Sequence, residues 1–248
     1  MDSVVILKTE ISVTSIDEVA EILQQKNLTT VAVCNANSLV RAYRNDVLQK
    51  KLNSFTIRVS DGFPVAKASN ILYRNKQKRV DGFNILHKTI EKGLKKKTSH
   101  YFYGNTEDVT KKLISKLLSK YPNINIAGFS CPPFDTYENL VEQKYIKDIQ
   151  DKDPDIVWVS LGYPKQEEFI NLIKQKKILT SNLIGIGGVF EWVAGTKRKA
   201  PELLANLGIE WVFRLIQEPT RLFKRYFIDN LLFIIYFIKQ ISKKRYGN

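Results

Sequence analysis

The stretch from Leu183 to Arg225 reads LIGIGGVFEWVAGTKRKAPELLANLGIEWVFRLIQEPTRLFKR and indicates the type of fold. Its opening Leu-Ile-Gly-Ile is typical of the end of a buried strand, and Gly187-Gly188 follow where a helix is expected to begin. Glycines at such a junction allow backbone N–H groups to approach an anion. Packing of the helix against the strand would also account for them.

Basic residues are concentrated in the second half of this stretch. If the chain folds back, their cations reach the same anion, because guanidinium and ammonium groups bind phosphate oxygens. Basic side chains at this density are also found on solvated helix faces. The residues are Lys197, Arg198, Lys199, Arg214, Arg221, Lys224 and Arg225. Together with the glycines, they predict one half of a diphosphate site.

Upstream of this stretch, short apolar runs alternate with amphipathic segments. The predicted strands cover residues 4–7, 30–35, 55–60, 100–103, 124–129, 156–161 and 182–186. The predicted helices cover residues 15–25, 36–52, 64–73, 83–94, 106–120, 137–149 and 165–174. Such alternation predicts a Rossmann-like α/β fold, in which a largely parallel sheet carries helices on both faces.

The ends of the predicted strands are the expected place for a ligand, because open parallel sheets bind ligands at their carboxyl edge. Asn35, Asp61, Gly104, Gly162 and Gly187 stand at or just after these ends. Asp61 is a candidate general base, although Asp-Gly is also a common turn pair. No strand–helix junction has the glycine pattern of a dinucleotide fold or of a P-loop NTPase.

Net charge points to an anionic partner, since the 248 residues carry a formal charge of +14. Nucleic acid, anionic lipid and a phosphorylated substrate all fit this charge. Nucleic-acid binding requires aromatic side chains interleaved with basic residues on an exposed sheet or groove, and no such module is apparent, so we expect no nucleic acid partner.

Metal sites and disulfides are not expected. The two cysteines, Cys34 and Cys131, are far apart, and two histidines are too few for a zinc site. The run Asp151-Lys152-Asp153-Pro154-Asp155 precedes a strand and therefore lies at the wrong end of the sheet. A reduced, cytoplasmic setting fits these features, and the first ten residues do not have the pattern of a signal peptide.

The tail from Tyr226 to Ile238, YFIDNLLFIIYFI, is apolar on nearly every face and is flanked by basic residues. It is shorter than the roughly 20 residues needed to span a bilayer, and Asp229 interrupts it. We interpret it as an interfacial helix on an anionic membrane, with a core helix or a homo-oligomer contact as the alternative. The sequence thus predicts an α/β core over residues 1–195 and a helical appendage over residues 196–248.

Several motifs together resemble the WecG/TagA/CpsF glycosyltransferases, family 26. They run from about Val31 to Tyr226, in the order and spacing of that family. They are Asp61-Gly62, Arg79-Val80-x-Gly82, Leu161-Gly162-x-Pro164-Lys165-Gln166-Glu167, Gly187-Gly188-x-Phe190, Ala194-Gly195, Arg198 with Ala200-Pro201, Glu210-Trp211-x-x-Arg214-Leu215, Glu218-Pro219-x-Arg221 and Arg225-Tyr226. The resemblance implies transfer of an N-acetylmannosamine-type sugar from a UDP donor to undecaprenyl-diphosphate-linked N-acetylglucosamine, in teichoic acid or surface polysaccharide synthesis.

The resemblance also implies site residues. The family's catalytic base falls on Asp61, and Arg79 is the first candidate to hold the diphosphate. Asn35 and Gln166 would bind sugar or phosphate, although each also suits a helix start. The full set of expected substrate-binding residues is Asn35, Arg79, Gly104, Gln166, Gly187, Gly188, Glu191, Arg214, Arg221 and Arg225.

Two positions depart from the family pattern. Val33 stands where a threonine is usual, and Glu191 stands where an aspartate is usual, which keeps the charge with a longer reach.

The expected activity is that of an inverting enzyme without metal or cofactor, bound peripherally to the inner face of the cell membrane. Two alternatives stay open: a family member that uses another UDP-hexose, and a non-enzymatic basic protein that binds nucleotide or nucleic acid.

Overall fold

The structure is a computed structural model that describes residues 1–246, without the side chains of Asn206, Arg221, Lys224, Arg225, Tyr226, Arg245 and Tyr246. The expected roles of the Arg221 and Arg225 side chains therefore lie outside the described part of the chain.

The chain begins with a hairpin, of which the sequence predicted only the first strand. β1 (Ser3–Ile6) pairs antiparallel with β2 (Thr9–Ser12). The turn between them consists of Leu7 and Lys8, whose φ angles are 47° and 63°. Two-residue hairpin turns of this left-handed type usually contain asparagine or glycine. Because neither residue is present, the second strand had no turn signal.

The rest of the core alternates strands and helices as predicted. The strands are β3 (Thr30–Cys34), β4 (Ile57–Ser60), β5 (Ser99–Gly104), β6 (Asn125–Ser130), β7 (Ile156–Ser160) and β8 (Asn182–Gly185). The helices are α1 (Ile16–Ile22), α2 (Ala36–Tyr43), α3 (Asp46–Asn53), α4 (Phe63–Tyr73), α5 (Gly82–Gly93), α6 (Glu107–Lys120), α7 (Gln143–Lys152), α8 (Lys165–Gln175) and α9 (Val189–Ala194).

Six strands form one parallel sheet in the order β4-β3-β8-β7-β5-β6. All carboxyl ends of a parallel sheet lie at one edge, so the loops after β3, β4, β5, β7 and β8 meet there. The expected α/β fold with a largely parallel sheet flanked by helices is confirmed.

Two apolar layers cover the sheet, and successive strand residues supply them alternately. Tyr101 and Tyr103 of β5 face a layer that includes Phe169 of α8, whose ring stacks on Tyr103 at 4.9 Å. Phe102, between the two tyrosines, faces the opposite layer and contacts Phe190 of α9 at 5.7 Å. Helices on both faces therefore shield the strands.

Two predicted helices are interrupted. The predicted helix over 36–52 is divided into α2 and α3, because Asn45 adopts extended backbone and caps α3 by accepting from Leu48 N at 3.0 Å. The predicted helix over 137–149 is a 3-10 turn at Asn139–Val141 followed by α7, with extended Glu142 between them.

The last part of the chain that the structure describes is mainly helical, comprising α10 (Glu202–Asn206), α11 (Glu210–Gln217) and α12 (Pro219–Tyr246). One face of α12 packs on the core. Tyr236 contacts Tyr43 of α2 at 4.6 Å between ring centroids, and Gln240 accepts from Leu7 N at 3.0 Å. Asp229 also accepts a hydrogen bond from Asn37. The boundary at residue 195 and the membrane-associating role of the appendage stay predictions.

The other face of α12 is apolar and exposed. Phe227, Leu231 and Ile234 are 66%, 53% and 53% exposed and follow one another along one side of the helix. Phe223 and Ile238 extend this stripe at its two ends. None of the described helices is both long enough and apolar enough to cross a bilayer.

Candidate active site

A cavity of about 670 Å³ opens at the carboxyl edge of the sheet. It brings together residues that the sequence predicted from separate segments. These are Asn35, Asp61, Arg79, Gln166, Gly187, Gly188, Glu191 and Arg214. Gly104 is not among the described residues that line the cavity, whereas its neighbour Asn105 is.

Asp61 directly follows β4 and lies half-buried in the cavity wall. Its backbone N–H donates to Cys34 O at 2.8 Å, which fixes the residue beside the end of β3. Loss of water around the carboxyl raises the pKa of Asp61 to about 7. The carboxylates of Glu210 and Asp81 add to this rise in pKa, while the guanidinium groups of Arg79 and Arg214 oppose it.

Arg79 lies between two carboxylates. Its guanidinium approaches Glu210 Oε2 at 2.5 Å and Asp81 Oδ2 at 3.3 Å. Asp81 is itself fixed as the N-cap of α5, where it accepts from Asn84 N at 3.1 Å. The Arg79–Glu210 contact joins the core to α11.

Glu210 also faces a second arginine. Arg214 lies one turn further along α11, 4.0 Å from Glu210 Oε1, and its guanidinium is 5.0 Å from the centroid of the Trp192 ring. Glu210 therefore lies within ion-pair distance of both Arg79 and Arg214, and it helps to set their positions at the cavity.

Lys197 forms a similar cluster on another wall of the cavity. Its ammonium group is 2.7 Å from Glu191 Oε1 and 3.1 Å from Glu218 Oε1. The longer Glu191, which stands in place of the usual aspartate, thus contacts a cation from the following loop.

Asn35 acts as a helix cap. Its Oδ1 accepts from Ser38 N at 3.1 Å, and its own N–H donates to Ser38 Oγ at 2.8 Å. The capping alternative considered for Asn35 is therefore present, and the residue lines the cavity at the same time.

Gln166 and Glu167 lie in the first turn of α8 and line the cavity with 5% and 2% of their surface exposed. Gln166 Nε2 donates to Glu167 Oε1 at 2.9 Å. Gly185 makes room for this amide, because a Cβ there would lie 2.9 Å from Gln166 Nε2.

Gly104 lies outside the cavity wall and packs against Ser160. Its φ is 103°, and a Cβ would lie 2.4 Å from Ser160 O, so glycine is required. The next residue, Asn105, donates through Nδ2 to Ser160 Oγ at 3.1 Å, and Ser160 Oγ donates to Gly187 O at 2.9 Å. This series of hydrogen bonds links the ends of β5, β7 and β8.

The Gly187-Gly188 junction differs in detail from the expected anion site. The N–H of Gly187 donates to Val159 O at 3.3 Å, so this donor is used within the fold. The helix that follows, α9, has only six residues.

Asp81, Glu210, Glu167 and Glu218 were not assigned roles from the sequence, although all four line the cavity. Glu167, Glu210 and Glu218 belong to the motifs quoted from the sequence, and membership of those motifs was the signal that could have identified them. Their partners are remote in sequence, so the ion pairs could not be inferred from spacing.

The Asp151–Asp155 run lies at the opposite end of the sheet and has other partners. Asp151 accepts from Lys147 at 2.8 Å, Asp153 from Lys26 at 2.7 Å, and Asp155 from Ser99 N at 2.7 Å. Across the described residues, there is no cluster of three or more His, Cys, Asp or Glu side chains arranged to hold a metal ion.

Comparison with known proteins gives a family match over residues 4–247, to the "Glycosyl transferase WecG/TagA/CpsF family". Similar proteins include an N-acetylglucosaminyldiphosphoundecaprenol N-acetyl-beta-D-mannosaminyltransferase of Bacillus subtilis (strain 168), 32% identical over 80% of this chain and 75% of the relative. A protein of the same name from Staphylococcus aureus (strain MW2) is 27% identical over 90% of this chain and 83% of its own length.

Proposed function

The chain belongs to the WecG/TagA/CpsF family of glycosyl transferases, and from this premise we propose a specific reaction. It transfers an N-acetylmannosamine-type sugar from a UDP donor to undecaprenyl-diphosphate-linked N-acetylglucosamine, in teichoic acid or related surface polysaccharide synthesis. The names of the similar Bacillus and Staphylococcus proteins support the acceptor and the sugar. The observation that carries the proposal is Asp61, a carboxyl with a pKa of about 7 in a cavity lined by arginines.

In this reaction Asp61 acts as the general base. Its carboxylate removes the proton from the acceptor hydroxyl as that oxygen attacks the anomeric carbon of the donor sugar. The new carbon–oxygen bond forms as the bond from the anomeric carbon to the diphosphate oxygen breaks. A single displacement inverts the anomeric carbon, and UDP leaves with the bonding electrons.

Charge on the departing UDP is stabilised by cations of the protein. Arg79, Arg214 and Lys197 line the cavity and are each within ion-pair distance of a carboxylate. A diphosphate entering the cavity competes with these carboxylates for the same guanidinium and ammonium groups. Arg221 and Arg225 of α12 are the further candidates, and no metal ion is required.

The enzyme meets its lipid-linked acceptor at the inner surface of the cell membrane. The apolar stripe of α12, Phe223, Phe227, Leu231, Ile234 and Ile238, is exposed and suits the interfacial region of a bilayer. Basic residues flank it, and the chain carries a net charge of +14, which favours anionic lipid. A second copy of the chain is the alternative occupant of this stripe.

A transfer assay tests the reaction. We expect the wild-type protein to move radiolabelled sugar from UDP-N-acetylmannosamine to an N-acetylglucosamine-diphosphate-lipid in vesicles, with the rate unchanged by EDTA. A panel of other UDP-hexoses with the same acceptor identifies the donor. Absence of transfer from every donor would contradict the proposed activity, and loss of transfer in EDTA would contradict metal independence alone.

A further inference from the structure

Two adjacent residues of α8 form a buried polar pair that faces the cavity. Gln166 is 5% exposed and Glu167 is 2% exposed, and both line the cavity wall. Gln166 Nε2 donates to Glu167 Oε1 at 2.9 Å. The contact lies beside the end of β8, where Gly185 leaves space for the amide.

This contact determines which end of the amide faces the ligand. Glu167 Oε1 accepts from the nitrogen of the Gln166 amide, so the nitrogen faces Glu167. The amide oxygen must then point the other way.

The amide oxygen of Gln166 is a buried acceptor to which the described residues supply no donor. It lies 3.4 Å from the position that a Cβ would take on Gly187, next to the junction of β8 and α9. A buried acceptor without a donor destabilises the folded state, which a ligand with a suitable donor would relieve.

We propose that Glu167 is a positioning residue that holds the Gln166 amide with its oxygen toward the ligand. The bound ligand places a neutral N–H or O–H against Gln166 Oε1. The imide N–H of uracil, an acetamido N–H and a sugar hydroxyl all have this chemistry. The inference rests on the proposed UDP-sugar donor. Through the orientation of Gln166, Glu167 makes the site favour ligand groups that donate a hydrogen bond to Gln166 Oε1 over groups that only accept one.

Calorimetric titration of Glu167→Gln tests the inference. The ligands are UDP, N3-methyl-UDP, UDP-N-acetylmannosamine, and UDP-sugars that lack the acetamido group or one hydroxyl at a time. The wild-type protein should bind the analogue without the critical donor about tenfold more weakly than its parent, as expected for one hydrogen bond. The analogue that shows this loss identifies the group.

In Glu167→Gln the discrimination should fall to about twofold or less, because a neutral amide accepts either orientation of Gln166. Glu168→Gln is the matched control. It removes a carboxylate from the same turn of α8, but Glu168 pairs with Lys51 at 3.0 Å and does not line the cavity. We expect wild-type discrimination in this control.

Thermal unfolding verifies that each variant is folded, and Gln166→Met provides a second test that does not depend on Glu167. This variant should also lose the discrimination. Wild-type discrimination in either Glu167→Gln or Gln166→Met would overturn the inference. Failure of the wild-type protein to bind any UDP ligand would instead remove the proposed donor, and the inference with it.

Discussion

At the scale of single residues, the environment of Asp61 sets its chemistry. Burial raises the pKa of Asp61 to about 7, and the carboxylates of Glu210 and Asp81 raise it further than burial alone. A general base works best when its pKa lies near the working pH, because it is then ionised and still accepts a proton readily. The same cavity wall supplies Arg79 and Arg214, which prevent a larger rise in the pKa.

The pH dependence of transfer follows from this pKa. Because the proposed general base Asp61 must be deprotonated to accept a proton, kcat/KM should increase as pH rises through about 7. Glu210→Gln removes a neighbouring negative charge, so it should lower the pKa of Asp61 and move the acidic limb to lower pH. The measurement is kcat/KM across pH 5 to 9 for both proteins.

Glu21→Gln is the control for this shift, since Glu21 is an exposed carboxylate of α1 that pairs with Lys92 and does not line the cavity. An acidic limb at the same pH in Glu210→Gln and wild-type protein would show that Glu210 does not act on the base.

Asp61 also links stability to pH. Its pKa is higher in the folded state than the ordinary value of 3.8, so the unfolded chain loses this proton at lower pH than the folded protein does. The contribution of Asp61 to stability therefore falls as pH rises from about 4 to about 7 and stays low above that range.

We expect Asp61→Asn, which has no charge to bury, to unfold at a higher temperature than the wild-type protein at pH 8. The increase should be roughly 2–4 °C for each kcal/mol regained. At pH 4 the difference should be smaller, because the carboxyl is protonated in the folded protein. Equal differences at the two pH values, measured by thermal unfolding, would contradict the raised pKa.

Much of the cavity could be predicted at this scale. Asn35, Asp61 and Gly187 were found because strand ends in a parallel sheet converge, whereas Gln166 was found through the family resemblance. The prediction of Gly104 missed the lining residue Asn105 by one position. The positive φ of Gly104 places it against Ser160 instead of in the cavity wall. The contacts of Glu210 were not predictable, because its partner Arg79 is 131 residues away in sequence.

At the scale of elements, α12 divides its apolar residues between a face on the core and an exposed face. The sequence indicated a segment from Tyr226 to Ile238 that is apolar on nearly every face, without showing which face packs on the core. In the structure Phe233 is 4% exposed against the core, whereas Leu231 and Ile234 are each 53% exposed. The number of apolar residues in α12 does not reveal which of them pack on the core. That depends on contacts with α2, which is remote in sequence.

Substitutions on these two faces should have different effects. Replacing Phe227, Leu231 and Ile234 together by serine should lower binding to vesicles that contain anionic lipid, as measured by flotation. Their side chains are exposed, so each change should alter stability by only about 0.5 kcal/mol.

Phe233→Ala is the contrasting variant. It removes a buried ring and should cost about 3–5 kcal/mol of stability, measured by denaturant unfolding, while the exposed stripe keeps its composition. Undiminished flotation of the triple-serine variant would contradict the membrane role of the stripe.

The N-terminal hairpin shows what local sequence misses. Its turn residues, Leu7 and Lys8, have left-handed backbone without the usual turn residues. Tertiary contacts hold the hairpin in place: Arg58 donates to Glu10 O at 2.5 Å, and Gln240 accepts from Leu7 N at 3.0 Å. Contacts from β4 and α12 thus stabilise a turn that the local residues do not favour.

At the scale of the whole molecule, the order of the strands creates the cavity. β3 and β8 are neighbours in the sheet, with β4 on one side of them and β7 followed by β5 on the other. Strand alternation predicted the parallel sheet, but not this order, because order depends on which crossovers pack together. α11 lies at the same edge of the sheet, and it places Glu210 and Arg214 next to the residues that follow the strands.

The most direct test of the account is sugar transfer by Asp61→Asn. The assay measures single-turnover transfer from UDP-N-acetylmannosamine to the lipid-linked acceptor, alongside calorimetric binding of UDP to the same protein. Because the amide cannot accept the acceptor's proton, the rate should fall by about a hundred- to ten-thousand-fold while UDP binding stays near that of the wild-type protein. A transfer rate equal to that of the wild-type protein would contradict the role of Asp61 as the base.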